Sequence, residues 1–434
     1  MSRHGRVTAE LTKRWPEHQV APSLERIQAL VELLDDPQRT APVVQITGTN
    51  AKGSTAIMID ALLRAVGLRT GRFTSPHLMN ITERICIDGE PISDDDFDDL
   101  WERLKPYAAL VDAMAIGGVS MTFFEVLTGM AYLAFADAPV DVMVIEVGMG
   151  GAWDATNVAD AEVAVICPIA LDHMQLLGAT VAEIANEKAG IIKWGATAVI
   201  AEQQPTAMQV LLARCATESA EMVLEGDDFA LVSRTGAIGG QMIEVRSGSS
   251  EHMGVFLPLY GAHMARNATL AVAAAEALLG RELSTELIAD AFGNVHVWAR
   301  LELLNSEPPV VLDTAHNPHG VQASLSAFVE TFALRSVTVL IAMMRDKAVA
   351  EVLRLIEPVA AQLVCTQVSG SDRALDADEL AAMAVSIFGD DRVETVRDVT
   401  EALETAMEIA TEAEGGVLVI GSVYLAGEVR RHLV

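Results

Sequence analysis

The segment Gly48–Ser54 has the residue types and spacing of a phosphate-binding loop. It follows the apolar run Val43–Thr47 and precedes a helical pattern that Gly67 is placed to end. In such loops, backbone N–H groups and a helix N-terminus hold phosphate oxygens, and a lysine neutralises the outer phosphates. Because Lys52 precedes Gly53, the strict Gly-x-x-x-x-Gly-Lys-Ser/Thr order is absent, and a tight turn with a surface lysine is the alternative interpretation. The candidate nucleotide ligands of this loop are Thr49, Asn50, Ala51, Lys52, Gly53 and Ser54.

The elements that position this loop are predicted by alternating strand-like and helical patterns, which indicate βαβ units and a mainly parallel sheet. The predicted strands are 43–47, 140–147, 163–168 and 198–201, with a helix over 123–136. Lys52, Glu146, Asp172 and His173 follow or end these strands. Ligands of open α/β sheets bind along that carboxyl edge, so we expect the site there.

The pattern of apolar and turn-forming residues changes twice after residue 220. Short β-type runs separated by glycine-rich turns over 221–259 predict a small antiparallel insertion. After a helix over 267–279, strands at 310–313, 337–342, 363–367 and 417–421 predict a smaller C-terminal Rossmann-like α/β domain. The predicted fold class is therefore α/β, with a first domain over 1–295 and a second domain over 296–434.

Composition excludes several classes of protein. A net charge of −30 leaves no basic stripe for nucleic acid or an anionic membrane, and no apolar run reaches membrane-spanning length. The four cysteines form no C-x-x-C pair, and the first residues contain no signal-like apolar segment. We therefore expect a cytoplasmic, globular protein with reduced thiols.

Several long motifs, in collinear order, resemble folylpolyglutamate synthase/dihydrofolate synthase, a family of Mur-ligase type that joins amides with ATP. The motifs are ITGTNAKGST from Ile46, TSPHLMNITERI from Thr74, EVGMGGAWDATN from Glu146, LDH from Leu171, NEKAGIIK from Asn186, LDTAHNPHG from Leu312, MRDK from Met344 and GSVYLAGEVR from Gly421. They span nearly the whole chain, which makes the signal more specific than any one motif.

The resemblance implies that the domain over 1–295 binds ATP and folate and that the domain over 296–434 is a glutamate-ligase domain. It also implies a magnesium site and an ATP site. The implied magnesium ligands are Ser75, Glu146, His173 and Lys188, and the family's lysine at the position of Lys188 is carboxylated. The implied ATP ligands beyond the loop are Asn267, Arg300 and Asp313, with His316 near the phosphates. From the residues alone, Glu146 could instead cap nearby amides, Lys188 could be an ordinary lysine, and Arg300 could form only an ion pair.

The resemblance also maps a pterin and benzoate site onto Thr122, Phe123, Phe124 and Glu125, and onto Trp153 and Asp154. Aromatic faces can stack a pterin, although at least one of the two phenylalanines should belong to the core. Three positions depart from the family pattern: Ala51 replaces a glycine, Ala152 replaces an arginine, and Thr314 replaces a small residue. Ala51 matters if that position needs φ > 0, where alanine is disfavoured.

The expected function is an ATP- and Mg²⁺-dependent ligase that adds L-glutamate to dihydropteroate, to a folate that already carries glutamate, or to both, in a monomer. An acyl phosphate would activate the carboxylate. One alternative is a Mur ligase with another acceptor, although only 47 residues precede Gly48, too few for a nucleotide-sugar domain. The other is a catalytically weak paralogue that binds ATP or folate.

Overall fold

A computed structural model describes residues 2–15 and 21–434. The chain divides into two compact units: one comprises residues 1–233, 243–256 and 266–295, and the other comprises 234–242, 257–265 and 296–434. Two short segments before residue 296 therefore group with the C-terminal unit, which the predicted boundary at 295/296 did not anticipate. The functions assigned to the two predicted domains stay a prediction.

The first unit is built on an eight-stranded sheet with the order β4-β3-β2-β5-β1-β6-β7-β8. Its strands are β1 (Val43–Thr47), β2 (Thr70–Phe73), β3 (Ile85–Ile87), β4 (Glu90–Pro91), β5 (Val142–Glu146), β6 (Val163–Ile166), β7 (Thr197–Ile200) and β8 (Glu221–Leu224). Antiparallel pairing in this sheet occurs only between β2 and β3 and between β3 and β4. The central strands β1, β5 and β6 are buried on both faces, which explains their nearly continuous apolar sequences.

Helices cover this sheet and connect its strands. They are α1 (Arg3–Leu11), α2 (Glu25–Leu33), α3 (Lys52–Ala65), α4 (Asp94–Ala113), α5 (Phe123–Asp137), α6 (Met174–Leu177), α7 (Val181–Lys188) and α8 (Pro205–Glu218). One core packs α2, α4 and α5 against the sheet, and a second packs α7 and α8 against β6 and β7.

The prediction of an antiparallel insertion over 221–259 is wrong for its first strand, 221–224. Strand β8 pairs parallel with β7 and extends the main sheet. Only β9 (Phe229–Ala237), β10 (Gly240–Ser247) and β11 (Ser250–Leu257) form the separate three-stranded sheet. Helices α9 (Ala262–Leu279) and α10 (Thr285–Gly293) follow.

The C-terminal unit carries a six-stranded sheet with the order β12-β13-β17-β14-β15-β16. Its strands are β12 (Arg300–Ser306), β13 (Pro309–Asp313), β14 (Val337–Ile341), β15 (Gln362–Cys365), β16 (Val393–Thr395) and β17 (Gly416–Ile420). Its helices are α11 (Pro318–Thr331), α12 (Val349–Ile356), α13 (Ala377–Phe388), α14 (Val399–Glu412) and α15 (Val423–Leu433). Strand β12 is antiparallel to β13, and the other strand pairs are parallel. The predicted α/β class is confirmed.

Candidate active site

The backbone of the loop between β1 and α3 has a positive φ at two positions, Gly48 and Ala51. Gly48 has φ 153°, and a Cβ there would lie 2.5 Å from the Cβ of Cys167, so only glycine fits. Ala51 has φ 74°, in the region that favours glycine, so the departure from the family pattern falls on a strained position. The Lys52 side chain folds back and donates from Nζ to the Gly48 carbonyl over 3.2 Å.

Glu146 ends β5, which pairs directly with β1, so its carboxylate lies at the edge that carries the loop. It is 4% exposed, and its Oε2 accepts the Ser75 N–H over 3.0 Å. A Cβ at Gly53 would lie 3.3 Å from the same oxygen, so glycine keeps the space above Glu146 open. The structure thus brings together the predicted metal ligands Ser75 and Glu146 beside the start of α3.

These residues fit a magnesium ion by donor chemistry, because Mg²⁺ prefers a few oxygen ligands and keeps several waters. Across residues 2–15 and 21–434, no group of three His, Cys, Asp or Glu side chains is already arranged to hold a metal. His173 lies past β6 and caps α6 with φ 49°, and its N–H donates to Asp172 Oδ1 over 2.9 Å.

Lys188 is the last residue of α7 and is 3% exposed. Its Nζ donates to the Gly48 carbonyl over 2.8 Å, so this one carbonyl accepts from both Lys188 and Lys52. Burial, reinforced by the Lys52 charge, lowers the pKa of Lys188 to about 7. A substantial fraction of the amine is therefore neutral and nucleophilic near physiological pH.

In the C-terminal unit, Arg300 and Asp313 face each other across the antiparallel β12–β13 pair. Asp313 is 2% exposed, and its two oxygens accept the N–H groups of Leu301 over 3.1 Å and Ala315 over 2.8 Å. His316 donates from Nδ1 to the Thr314 carbonyl over 3.0 Å, which leaves Nε2 as the acceptor of the neutral ring. Thr314, the third departure, is buried, and its N–H donates to the carbonyl of Ala299.

Sequence reasoning missed His263, which lies one helical turn before Asn267 on α9. Burial lowers its pKa, while the Asp313 carboxylate acts in the opposite direction and Arg300 adds to the lowering. His263 therefore belongs to the Arg300–Asp313 neighbourhood. Asn267 itself is buried and donates from Nδ2 to the hydroxyl of Ser54 over 3.1 Å. The sequence signal that could have identified His263 is its position four residues before Asn267 on the same helix.

On the predicted pterin side, four of the six residues are buried. Thr122 caps α5 through a capping box with Glu125, and Phe123 is only 7% exposed. Asp154 accepts hydrogen bonds from the backbone of Met149 and Thr156, and burial raises its pKa. The side chains of Thr122, Phe123, Glu125 and Asp154 are therefore buried in contacts with other residues of the protein.

The two half-buried residues of this set are Phe124 and Trp153. The Phe124 ring lies 5.7 Å from the ring of Phe73, and a Cβ at Gly148 would clash with it at 2.5 Å. Trp153 donates its backbone N–H to Glu187 Oε1 over 3.2 Å. Beside it, the departing residue Ala152 is exposed and packs on Gly190, where a Cβ would come within 2.4 Å. Phe124 and Trp153 are thus the residues of this set with accessible aromatic surface.

Two segments of the chain match models of known protein domains. Residues 97–275 match the Mur ligase middle domain, and residues 299–423 match the Mur ligase glutamate ligase domain. Within the described part of the chain, no helix combines the length and apolar character needed to cross a membrane.

Two of the full-length relatives carry the same double name. Dihydrofolate synthase/folylpolyglutamate synthase of Mycobacterium tuberculosis is 43% identical, with 97% of this chain and 92% of that protein covered. The Bacillus subtilis protein of the same name is 32% identical, with 95% of each covered. The structure of M. tuberculosis folylpolyglutamate synthase complexed with ADP has a TM-score of 0.95 and 42% identity, over 99% of this chain and 98% of that one.

Proposed function

The chain belongs to the folylpolyglutamate synthase/dihydrofolate synthase family, and we propose that it adds L-glutamate both to dihydropteroate and to folates that already carry glutamate. The family membership makes it an ATP-dependent ligase of glutamate to folates. The choice of acceptor is the finer part of the proposal. The observation that carries the site is the meeting of Glu146 and Ser75 beside Gly53, at the foot of a loop that holds Lys52.

The reaction must turn a carboxylate oxygen into a leaving group. Attack of the acceptor carboxylate on the γ-phosphorus of ATP releases ADP and gives an acyl phosphate. The glutamate amine then attacks the acyl carbon, loses a proton, and expels phosphate. Lys52 and the loop N–H groups are assigned to the β- and γ-phosphates, where they neutralise charge as the phosphoryl group moves.

Glu146, Ser75, His173 and a carboxylated Lys188 are assigned to Mg²⁺, which supplies charge neutralisation at the phosphates when bound. Lys188 suits this role by position: it is buried, and it lies at the Gly48 carbonyl beneath the loop. Carbon dioxide reacts with a neutral amine to give a carbamate, which converts a cation that would repel the metal into an oxygen ligand.

The ATP site is assigned to Asn267, Arg300 and Asp313 in addition to the loop, with His316 toward the phosphates. The planar guanidinium of Arg300 suits a phosphate. On the acceptor side, Phe124 and Trp153 are assigned to the pteroyl rings, and the buried residues Thr122, Phe123, Glu125 and Asp154 shape the elements that carry them. A cytoplasmic monomer completes the proposal.

The test is ADP release by the full chain with ATP, Mg²⁺ and different pairs of substrates. We expect repeated turnover to require both L-glutamate and an acceptor, and to occur with dihydropteroate and with tetrahydrofolate. Activity with only one acceptor would refute the dual specificity but would leave the ligase activity itself supported. ATP turnover that ignores both substrates would favour the weak paralogue, a rival motivated by the strained Ala51.

A further inference from the structure

A buried ion pair joins α2 to the first turn of α5. Arg26 is 2% exposed and Glu125 is 4% exposed. Arg26 Nε donates to both carboxylate oxygens of Glu125 over 3.0 and 3.1 Å, and its Nη2 lies 2.9 Å from Oε1. The same Nη2 also donates to the Ala21 carbonyl. The guanidinium is therefore held by both a charge and a backbone group.

The buried carboxylate of Glu125 is already engaged by groups of the protein. Besides Arg26, its Oε2 accepts the Thr122 N–H over 2.7 Å, and the Thr122 hydroxyl accepts the Glu125 N–H over 3.1 Å. A carboxylate offers about four acceptor positions, and three donor groups already reach this one: Arg26 Nε, Arg26 Nη2 and the Thr122 N–H. A pterin that replaced Arg26 at this carboxylate would break a buried charge pair, which is strongly unfavourable.

The pair instead fixes the position of the neighbouring aromatic residue. Glu125 closes the capping box that begins α5 at Thr122, and Phe124 lies between these two residues. The Phe124 ring covers Gly148, which lies two residues past Glu146. The ring therefore packs close to the proposed reaction centre. A small rotation of the first turn of α5 would lift that ring from Gly148.

We propose that Arg26 and Glu125 are positioning residues for the pteroyl site, which act by holding Phe124 against Gly148 and make no contact with the substrate. This inference rests on the proposed function, because it presumes that Phe124 stacks on the pteroyl rings. It also assigns a positioning role to Arg26, a residue outside the motifs that sequence analysis singled out.

The experiment compares the variants Arg26→Met, Glu125→Gln and Arg26→Met/Glu125→Gln in the full chain. Each single variant leaves one buried polar partner without its mate, so the first turn should shift. We expect each to weaken dihydropteroate binding about tenfold, with ATP binding changed less than about twofold. In the double variant, the introduced glutamine carries no charge and can still accept the Thr122 N–H, because glutamine serves in a capping box. Dihydropteroate binding should therefore return to within about threefold of the wild type.

The dissociation constants are measured by calorimetry with dihydropteroate and, separately, with ATP; KM and kcat are measured alongside. The KM for dihydropteroate should follow the binding pattern, while kcat stays within about threefold. Arg103→Met is the matched control, since Arg103 pairs with Asp137 at the opposite end of α5 and should leave binding unchanged.

Two results would overturn the inference while leaving the proposed function in place. If the double variant binds as poorly as Glu125→Gln, the carboxylate contacts the substrate directly. If Arg26→Met binds like the wild type, the pair does not position Phe124. Should a single variant fail to fold, the double variant decides, because it contains no unpaired charge. A wild-type protein that binds ATP but neither dihydropteroate nor tetrahydrofolate would refute the proposed function itself.

Discussion

The two sheet edges that carry the candidate residues are built on opposite electrostatic principles. At the first edge, two lysines converge on one carbonyl, and one of them, Lys188, is buried with its pKa lowered to about 7. At the second edge, the buried carboxylate of Asp313 receives two backbone N–H groups. The first edge therefore brings two lysine amines to one neutral backbone carbonyl, whereas the second edge satisfies a carboxylate with backbone N–H groups.

This difference predicts which charged residues also support the backbone: Asp313 does so in addition to its assigned place in the ATP site. Removing a charge at the first edge should reduce activity without weakening the fold. Removing the charge at the second edge should weaken the fold itself. The following four substitutions test that contrast, beginning with the largest effect.

Glu146→Gln should reduce kcat by about 10²–10³-fold or more, because the carboxamide keeps the shape and loses the charge assigned to magnesium. Its melting temperature should stay near that of the wild type. Glu162→Gln is the matched control, since Glu162 accepts the Val43 N–H at the opposite end of the same sheet and is exposed. Near-normal turnover of Glu146→Gln at ordinary Mg²⁺ concentrations would remove Glu146 from the metal site.

Lys188→Met should be nearly inactive and yet more stable than the wild type. A folded-state pKa of about 7 against an ordinary value of 10.5 means that the folded state disfavours the ammonium form, by up to about 5 kcal/mol. This penalty is complete below pH 7, where both states are protonated, and it fades as pH rises toward 10.5, where the unfolded amine also loses its proton. The stability gain of the variant should follow the same course.

The measurement is urea unfolding of both proteins from pH 6 to pH 10 in buffer free of metal and carbon dioxide. A variant that is less stable at pH 7 would contradict the buried-charge account. Activity assays with added acetate test the carbamate separately: partial restoration of turnover would support it, and full activity of Lys188→Met without acetate would refute it.

Asp313→Asn should lower the free energy of unfolding by about 1–3 kcal/mol, because the amide NH₂ would face one of the two N–H groups that the carboxylate accepts. Urea unfolding checks this effect, and Asp372→Asn, an exposed residue of the same unit, serves as control. Unchanged stability would show that the second edge does not depend on Asp313 for its backbone geometry.

Ala51→Gly should raise stability by about 1 kcal/mol, because glycine adopts φ 74° without steric cost. Thermal unfolding measures the change, and Ala152→Gly, at the other alanine that departs from the family pattern, should give no such gain. A loss of stability in Ala51→Gly would mean that the alanine side chain contributes packing that outweighs the backbone strain.

Much of this architecture could be predicted from sequence because its signals are local. Strand β1 and the turn into α3 were predicted at the positions that the structure shows, since a buried apolar strand followed by glycine and a helical pattern leaves few alternatives. Strand β8 was assigned to the wrong sheet, because four residues before a glycine turn give no information about which strand they pair with. The antiparallel strands β3 and β4, of three and two residues, are too short to produce a periodic signal.

For the candidate site, too, some features could be predicted from sequence and others required the folded structure. The motif that contains Glu125 could be recognised, but its partner Arg26 lies 99 residues earlier, and only the folded chain shows that the carboxylate is already occupied. The position of Ala51 in the phosphate loop likewise raised the question of positive φ, and only the backbone geometry answered it.

The most direct test of the account follows one oxygen atom through the reaction. Dihydropteroate labelled with ¹⁸O in its carboxylate is incubated with ATP, Mg²⁺, L-glutamate and the full chain, and the phosphate released is analysed by mass spectrometry. Activation through an acyl phosphate predicts that each phosphate carries one oxygen from the carboxylate, in step with formation of the amide. Phosphate without the label, released while the amide forms or without any amide, would contradict activation of the carboxylate by phosphoryl transfer.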